Sequence, residues 1–149
     1  MARHPKWVRA FLSDQDLEAI ARAVGQAEER TSAEIRVHLD HSCPGEALPQ
    51  AIRVFERLGM HETVARNGVL VYISVTDRKL AVIGDKGIHE RVGDAYWRGL
   101  VDAVRERMRQ QQSRDGLIHA VSELGASLGR HFPRRPGDAN ELRDDVSVG

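Results

Sequence analysis

The sequence predicts an α/β fold: an αβα sandwich in which helices cover both faces of a small mixed sheet. Three observations carry this. Glu34–Asp40 alternates apolar and polar residues, Val69–Val75 and Leu80–Ile83 are apolar runs joined by a short polar turn, and the flanking segments place apolar residues at helical spacing. Strand, helix and strand in succession make a βαβ unit, parallel and right-handed. The short turn at Thr76-Asp77-Arg78 then sends the third strand back antiparallel.

Taken in order, Ser13 and Asp16 form a capping-box pair that opens the first helix, and Leu17, Ile20, Ala21, Val24 and Ala27 line its apolar face. This helix is expected to end near 29–32. In the first strand, Ile35, Val37 and Leu39 face the core, while Arg36 and His38 face the other way, as in a half-buried strand. His41–Glu46 contains Ser, Pro and Gly and reads as a loop. Ala47, Ala51, Val54, Phe55 and Leu58 mark a second helix that stops at Gly59, with Pro49 tolerated only in its first turn. After the hairpin, Gly84-Asp85-Lys86-Gly87 reads as a loop. A third helix carries Trp97, Leu100, Val101, Val104 and Met108, with Arg98, Asp102, Arg105 and Arg109 opposite. Ser113–Gly116 is expected to break the chain before a fourth helix with Leu117, Ile118, Val121, Leu124 and Leu128. Gly125 and Gly129 share a face of that helix and suit close approach of a neighbour. The expected order is α-β-α-β-β-α-α: residues 1–12 as an N-terminal extension, 13–132 as the domain, and 133–149 as a loosely held polar tail.

With 149 residues, 41% hydrophobic and 30% charged, the chain has the composition of an ordinary soluble domain with a real core. Lys+Arg and Asp+Glu balance at 22 each, which leaves no global electrostatic argument for nucleic acid. Cys43 is the only cysteine, so there is no intrachain disulfide and no cysteine zinc site. No stretch has the pattern of a secretory signal or the apolar length of a membrane span, so the expected location is cytoplasmic, with no direct membrane insertion.

The topology makes a geometric prediction about the acids. Parallel strands one and two start at the same end of the sheet, and antiparallel strand three finishes there. Glu34 and Asp85 therefore share that end, and Asp94 reaches it if the 87–93 segment folds over. Three carboxylates beside a Gly-rich loop are hard oxygen ligands suited to Ca²⁺ or Mg²⁺; the competing reading is solvated charges and a helix cap at Asp94. The opposite end holds Asp40, His41, Thr76 and Asp77. It is the end at which open α/β sheets usually bind ligands, although Thr76-Asp77 also has turn chemistry. Cys43 would be a nucleophile only with a basic partner such as His41, and a spacing of two residues in one loop is poor evidence for that pair. The 84–87 loop lacks the Gly-Lys-Ser/Thr ending of a phosphate loop.

Several runs resemble one family. TSAEIRVH (Thr31–His38), LGMHETVARNGVLVYI (Leu58–Ile73), DRKLAVIGDKGI (Asp77–Ile88), the Tyr96-Trp97 pair and the HFP…NELRDDVS end are similar to the TPM domain, and to its short bacterial members most of all. The resemblance implies a compact αβα sandwich. It also implies two activities: acid phosphatase chemistry, described for plant members in photosystem II repair, and divalent-cation binding, linked to bacterial members. Asp85 and Asp94 match the family's loop acid and the acid after it, while Glu34 comes from geometry alone. The family's usual Val-Asp-containing segment before the first helix has no counterpart here. The expected function is a divalent-cation-binding module, monomeric and serving an envelope or membrane protein partner. The alternatives are a metal-assisted acid phosphatase, with Lys86 and Arg91 meeting the phosphoryl group, and a metal-independent interaction domain docking its partner through 140–148.

Overall fold

The structure, a computed structural model, describes residues 4–63, 65–134 and 144–149. Among these, the chain runs α1 (Lys6–Phe11), α2 (Asp14–Glu28), β1 (Glu34–Asp40), α3 (Ala47–Arg57), a 3₁₀ turn (Met60–Glu62), β2 (Gly68–Ser74), β3 (Lys79–Gly84), α4 (Lys86–Val92), α5 (Asp94–Arg109), α6 (Ser113–His131) and β4 (Ser147–Val148). The four strands form one sheet in the order β3-β2-β1-β4. β1 and β2 are parallel from Glu34↔Gly68 to Asp40↔Ser74, and β2 and β3 are antiparallel from Val69↔Gly84 to Ser74↔Lys79. The α/β fold with a mixed sheet is therefore as the sequence predicts.

Local chemistry sets the element ends. The Ser13 hydroxyl accepts from the Asp16 N–H while Asp16 accepts from the Ser13 N–H, so α2 opens on the expected capping box. Gly59, at φ 71°, closes α3. Gly125 and Gly129 let α6 lie directly on α2: an added Cβ would come within 2.8 Å of the Ala27 Cβ at one and 2.7 Å of the Arg30 carbonyl at the other.

Three short elements depart from expectation. Residues 6–11, read as part of an extension, form α1, which buries Val8 in the core; its six residues are too few to show a periodicity. The 84–87 loop is the start of α4, with Asp85 as its N-cap. Part of the polar tail is ordered: Ser147 and Val148 pair in parallel with His38 and Leu39. The α5–α6 break falls at 110–112 rather than 113–116. Positions 140–143, part of the tail proposed to dock a partner, lie outside the described residues.

The sheet's two faces are covered unequally. Ile35, Val37 and Leu39 of β1, Val69, Val71 and Ile73 of β2, and Leu80 and Val82 of β3 pack under α2, α5 and α6 in the main core. The alternate residues Leu70, Tyr72 and Ala81 face α3, meeting Ala51, Val54, Phe55 and Met60. On that second face β1 carries Glu34, Arg36, His38 and Asp40. Read as a half-buried strand, β1 is instead buried on both faces apart from Arg36. Gln50 of α3 reaches Asp40, Ser147 of β4 reaches His38, and Asp145 lies 3.6 Å from Arg36, so polar groups cover polar groups.

Candidate functional site

The parallel register and the returning hairpin bring Glu34 and Asp85 to the same end of the sheet, as the topology predicts. The Glu34 N–H donates to the Asn67 carbonyl and the Asp85 N–H to the Gly68 carbonyl. Their side chains, however, serve different partners. Asp85 takes a bidentate ion pair from Arg66, Nε to Oδ2 at 2.8 Å and Nη2 to Oδ1 at 3.0 Å, and its Oδ1 also accepts the Lys86 N–H at 2.8 Å. Arg66 reaches it from a left-handed backbone, φ 51°, and Gly87 packs so tightly on the carbonyls of residues 65 and 66 that a Cβ would sit 2.7 Å from them. Asp94 is 75% exposed and lies 3.4 Å from His89 Nε2. His89 in turn accepts the Trp97 indole N–H on Nδ1. The 87–93 segment, expected to fold over as a loop, is largely helix α4, and Asp94 begins α5 instead of turning toward Glu34.

What lies beside Glu34 is an acid the sequence reading passed over. Glu28, on the last turn of α2, is 3% exposed. Its Oε2 accepts the Ile35 N–H at 2.9 Å, on the edge of β1 where a neighbouring strand would otherwise pair. The carboxyls of Asp144 and Glu34 stand beside it and add like charge, and its Oε1 is buried without a hydrogen-bond partner among the described residues. Burial first, and then the Asp144 contact, push the Glu28 pKa up to about 10, against the opposing pull of the Ile35 N–H. A carboxyl raised that far keeps its proton near pH 7. Position 28 stands four residues after Val24 on the apolar stripe of α2, which is the signal that marks it. Asp144, in the polar tail, carries no such signal.

The carboxyl end of β1 is built differently. His38, 1% exposed, has both ring nitrogens engaged: Nδ1 with the Ser147 hydroxyl and Nε2 with Asp40 Oδ1, each at 2.8 Å. Asp40 Oδ2 accepts from the Tyr72 hydroxyl at 2.7 Å and from the Gln50 amide at 3.2 Å. Burial opposes the Asp40 charge, but the hydrogen bonds from Tyr72, His38 and Gln50 outweigh it and hold the carboxyl below its usual range. Burial holds His38 below the ordinary imidazole value, with Asp40 pulling the other way. Nearby, Cys43 is buried and His41 stacks on Trp7 at 5.0 Å, so no thiol–imidazole dyad forms.

The fit to a divalent cation follows from these partners. Glu34, Asp85 and Asp94 are not brought together as one ligand set, because Asp85 is committed to Arg66 and the α4 cap and Asp94 points to His89. With the side chains as they stand, no three His, Cys, Asp or Glu residues among those described are arranged to hold a metal. Glu28, Glu34 and Asp144 carry hard carboxylate oxygens of the kind such an ion takes, and the Arg134 guanidinium stands nearby on the Glu28 carbonyl at 2.9 Å.

A family model for the TPM domain matches residues 8–127, from α1 into α6. This chain belongs to the TPM domain family. Among solved structures, the TPM domain described above is similar to the BA42 protein of the psychrophilic bacterium Bizionia argentinensis, determined by NMR. The two are 35% identical, with a TM-score of 0.87, over 93% of this chain and 96% of that one. No curated protein matches the chain. Among the described residues, no helix of this TPM domain is long and apolar enough to cross a membrane.

Proposed function

We propose that this TPM domain is a divalent-cation-binding module that takes Ca²⁺ or Mg²⁺ at the amino end of β1 on Glu28, Glu34 and Asp144, and that it serves an envelope or membrane protein partner. The observation that supports this is the gathering of the Glu34 and Asp144 carboxyls around Glu28, which is 3% exposed and has one oxygen, Oε1, buried without a hydrogen-bond partner among the described residues. A cation would supply the charge the proton now supplies, and hard carboxylate oxygens suit Ca²⁺ and Mg²⁺. Turnover has less support than binding. A metal-assisted phosphatase needs cationic groups at hand for the transferring phosphoryl; Asp85 holds Arg66 and Arg91 lies over the Phe132 ring at 5.4 Å, so of Lys86 and Arg91 only Lys86 stands uncommitted among the described residues.

Calorimetric titration with Ca²⁺ and Mg²⁺ near pH 7, run in two buffers of different ionisation enthalpy, tests the reading. The expected result is binding that releases about one proton per cation and is lost in Glu28→Gln. An absence of heat with millimolar Ca²⁺ and Mg²⁺ would overturn it, as would binding left unchanged by Glu28→Gln and Glu34→Gln together.

A further inference from the structure

At the other end of the sheet, beyond the carboxyl ends of β1 and β2, lies an open cavity of about 500 Å³. That volume is in the range of small-molecule sites, and the position is where open α/β sheets bind ligands. Its walls come from four places: α1, the start of α2, the β2–β3 turn and the α5–α6 junction. Trp7, Phe11, Val75 and Met108 give it an apolar side. The Trp7 ring is stacked on His41 with only 8° between the planes, which fixes its orientation as a flat wall.

The two acids and two arginines at its mouth are unevenly paired. Asp16 and Asp115 both answer Arg114, at 3.5 and 3.7 Å. Arg78, which also lines the cavity, has no ion pair or side-chain hydrogen bond among the described residues. It sits on the β2–β3 turn in a left-handed backbone at φ 54°, and across the cavity Gln111 is held at φ 58°. Both are conformations that a non-glycine residue keeps only where its surroundings enforce them. A planar guanidinium without an acid partner, beside an aromatic and thioether wall, matches a ligand that is flat and apolar at one end and anionic at the other.

We propose that this cavity is a binding site for small aromatic carboxylates, with the ring against Trp7, Phe11 and Met108 and the carboxylate on Arg78. Nothing in this site draws on the acids at the amino end of β1, so the two proposals stand separately.

The probe is indole-3-acetate, titrated into the full ¹⁵N-labelled chain and followed by amide shifts, with uncharged indole-3-acetamide as the control. The expected result is saturable shifts confined to residues 7–16, 75–79 and 108–115, with the acid bound roughly tenfold more tightly than the amide. Arg78→Asn removes the guanidinium with a residue that tolerates positive φ, and should abolish the preference for the acid; Arg78→Lys should keep part of it. The proposal is overturned by an absence of shifts at millimolar probe, by shifts centred elsewhere, by equal affinity for acid and amide in the natural chain, or by a preference that survives Arg78→Asn. The acid–amide comparison needs no variant, so a misfolded mutant would not shield the proposal.

Discussion

At its two ends, β1 buries polar side chains on the face that α3 covers, and the two groups of residues are balanced in opposite ways. At the carboxyl end, donors and acceptors match. Asp40 accepts from Tyr72, His38 and Gln50, and His38 uses its second nitrogen on Ser147. At the amino end three carboxyls gather, those of Glu28, Glu34 and Asp144; Glu28 Oε2 accepts the Ile35 N–H, while its Oε1 is buried without a hydrogen-bond partner among the described residues. A matched network needs no ligand and tightens the fold, whereas a buried carboxylate oxygen without a donor leaves room for a cation. The difference also gives the two ends opposite responses to pH. Between the lowered His38 value and its ordinary 6.5, the unfolded chain holds one more proton than the folded chain, so stability falls as pH falls through that window. Between the ordinary Glu28 value of 4.5 and its raised value of about 10, the folded chain holds the extra proton, so stability falls as pH rises.

The largest expected effect comes from breaking the matched end. Asp40→Ala leaves Tyr72, Gln50 and the His38 N–H without their acceptor in a buried place, and is expected to cost about 3 kcal/mol in urea unfolding near pH 7. A loss below about 1 kcal/mol would mean that water or a rearranged Gln50 replaces the carboxylate, and that this end is less closed than its hydrogen bonds imply.

A smaller effect, of opposite sign, is expected at the amino end. Glu28→Gln keeps an oxygen for the Ile35 N–H and offers Asp144 a permanent N–H donor, so the proton is no longer needed. Without added cation, the variant is expected to be more stable than the natural chain by on the order of 1–3 kcal/mol at pH 8, with the gain shrinking toward zero near pH 4. Urea midpoints from pH 4 to 9 check this. A variant destabilised across that range would show that the Glu28 carboxylate is already compensated, and the contrast between the two ends would fail.

Much of this comparison was legible in the residues. The βαβ rule and the short hairpin place Glu34 and Asp85 at one end, and the Ser13–Asp16 box and the Gly125–Gly129 face are visible as patterns. What was not legible has physical causes. α1 and α4 are too short for a helical period to show. β4 is two residues in a polar tail, and its place is fixed by Ser147 on His38 and Asp145 near Arg36, contacts between residues more than a hundred positions apart. The alternation of β1 correctly divides its two faces, but alternation cannot say whether the polar face meets water or a second polar layer. Asp85 looked like a ligand because nothing local reveals that Arg66, nineteen residues earlier, would take both of its oxygens. Glu28 left a trace, a carboxylate in register with Val24 on an apolar stripe, and such a residue is rarely buried without a partner.

The smallest expected effect separates these two assignments of the acids. Asp94 is exposed and its nearest charged group is the imidazole of His89, so Asp94→Asn should change stability by no more than about 0.5 kcal/mol. It should also leave Ca²⁺ affinity unchanged, because the acids at the β1 edge do not include it. Asp85→Asn is the informative companion. It weakens the Arg66 pair and the α4 cap together, so it should destabilise the chain by about 1 kcal/mol while leaving cation stoichiometry intact. If Asp94→Asn instead abolished Ca²⁺ binding in a chain of undiminished stability, α4 would have to move on cation binding to bring Asp94 toward Glu34. The acid surplus would then be an opening arrangement that closes over the ion, and the amino end would differ from the carboxyl end in mobility as well as in charge.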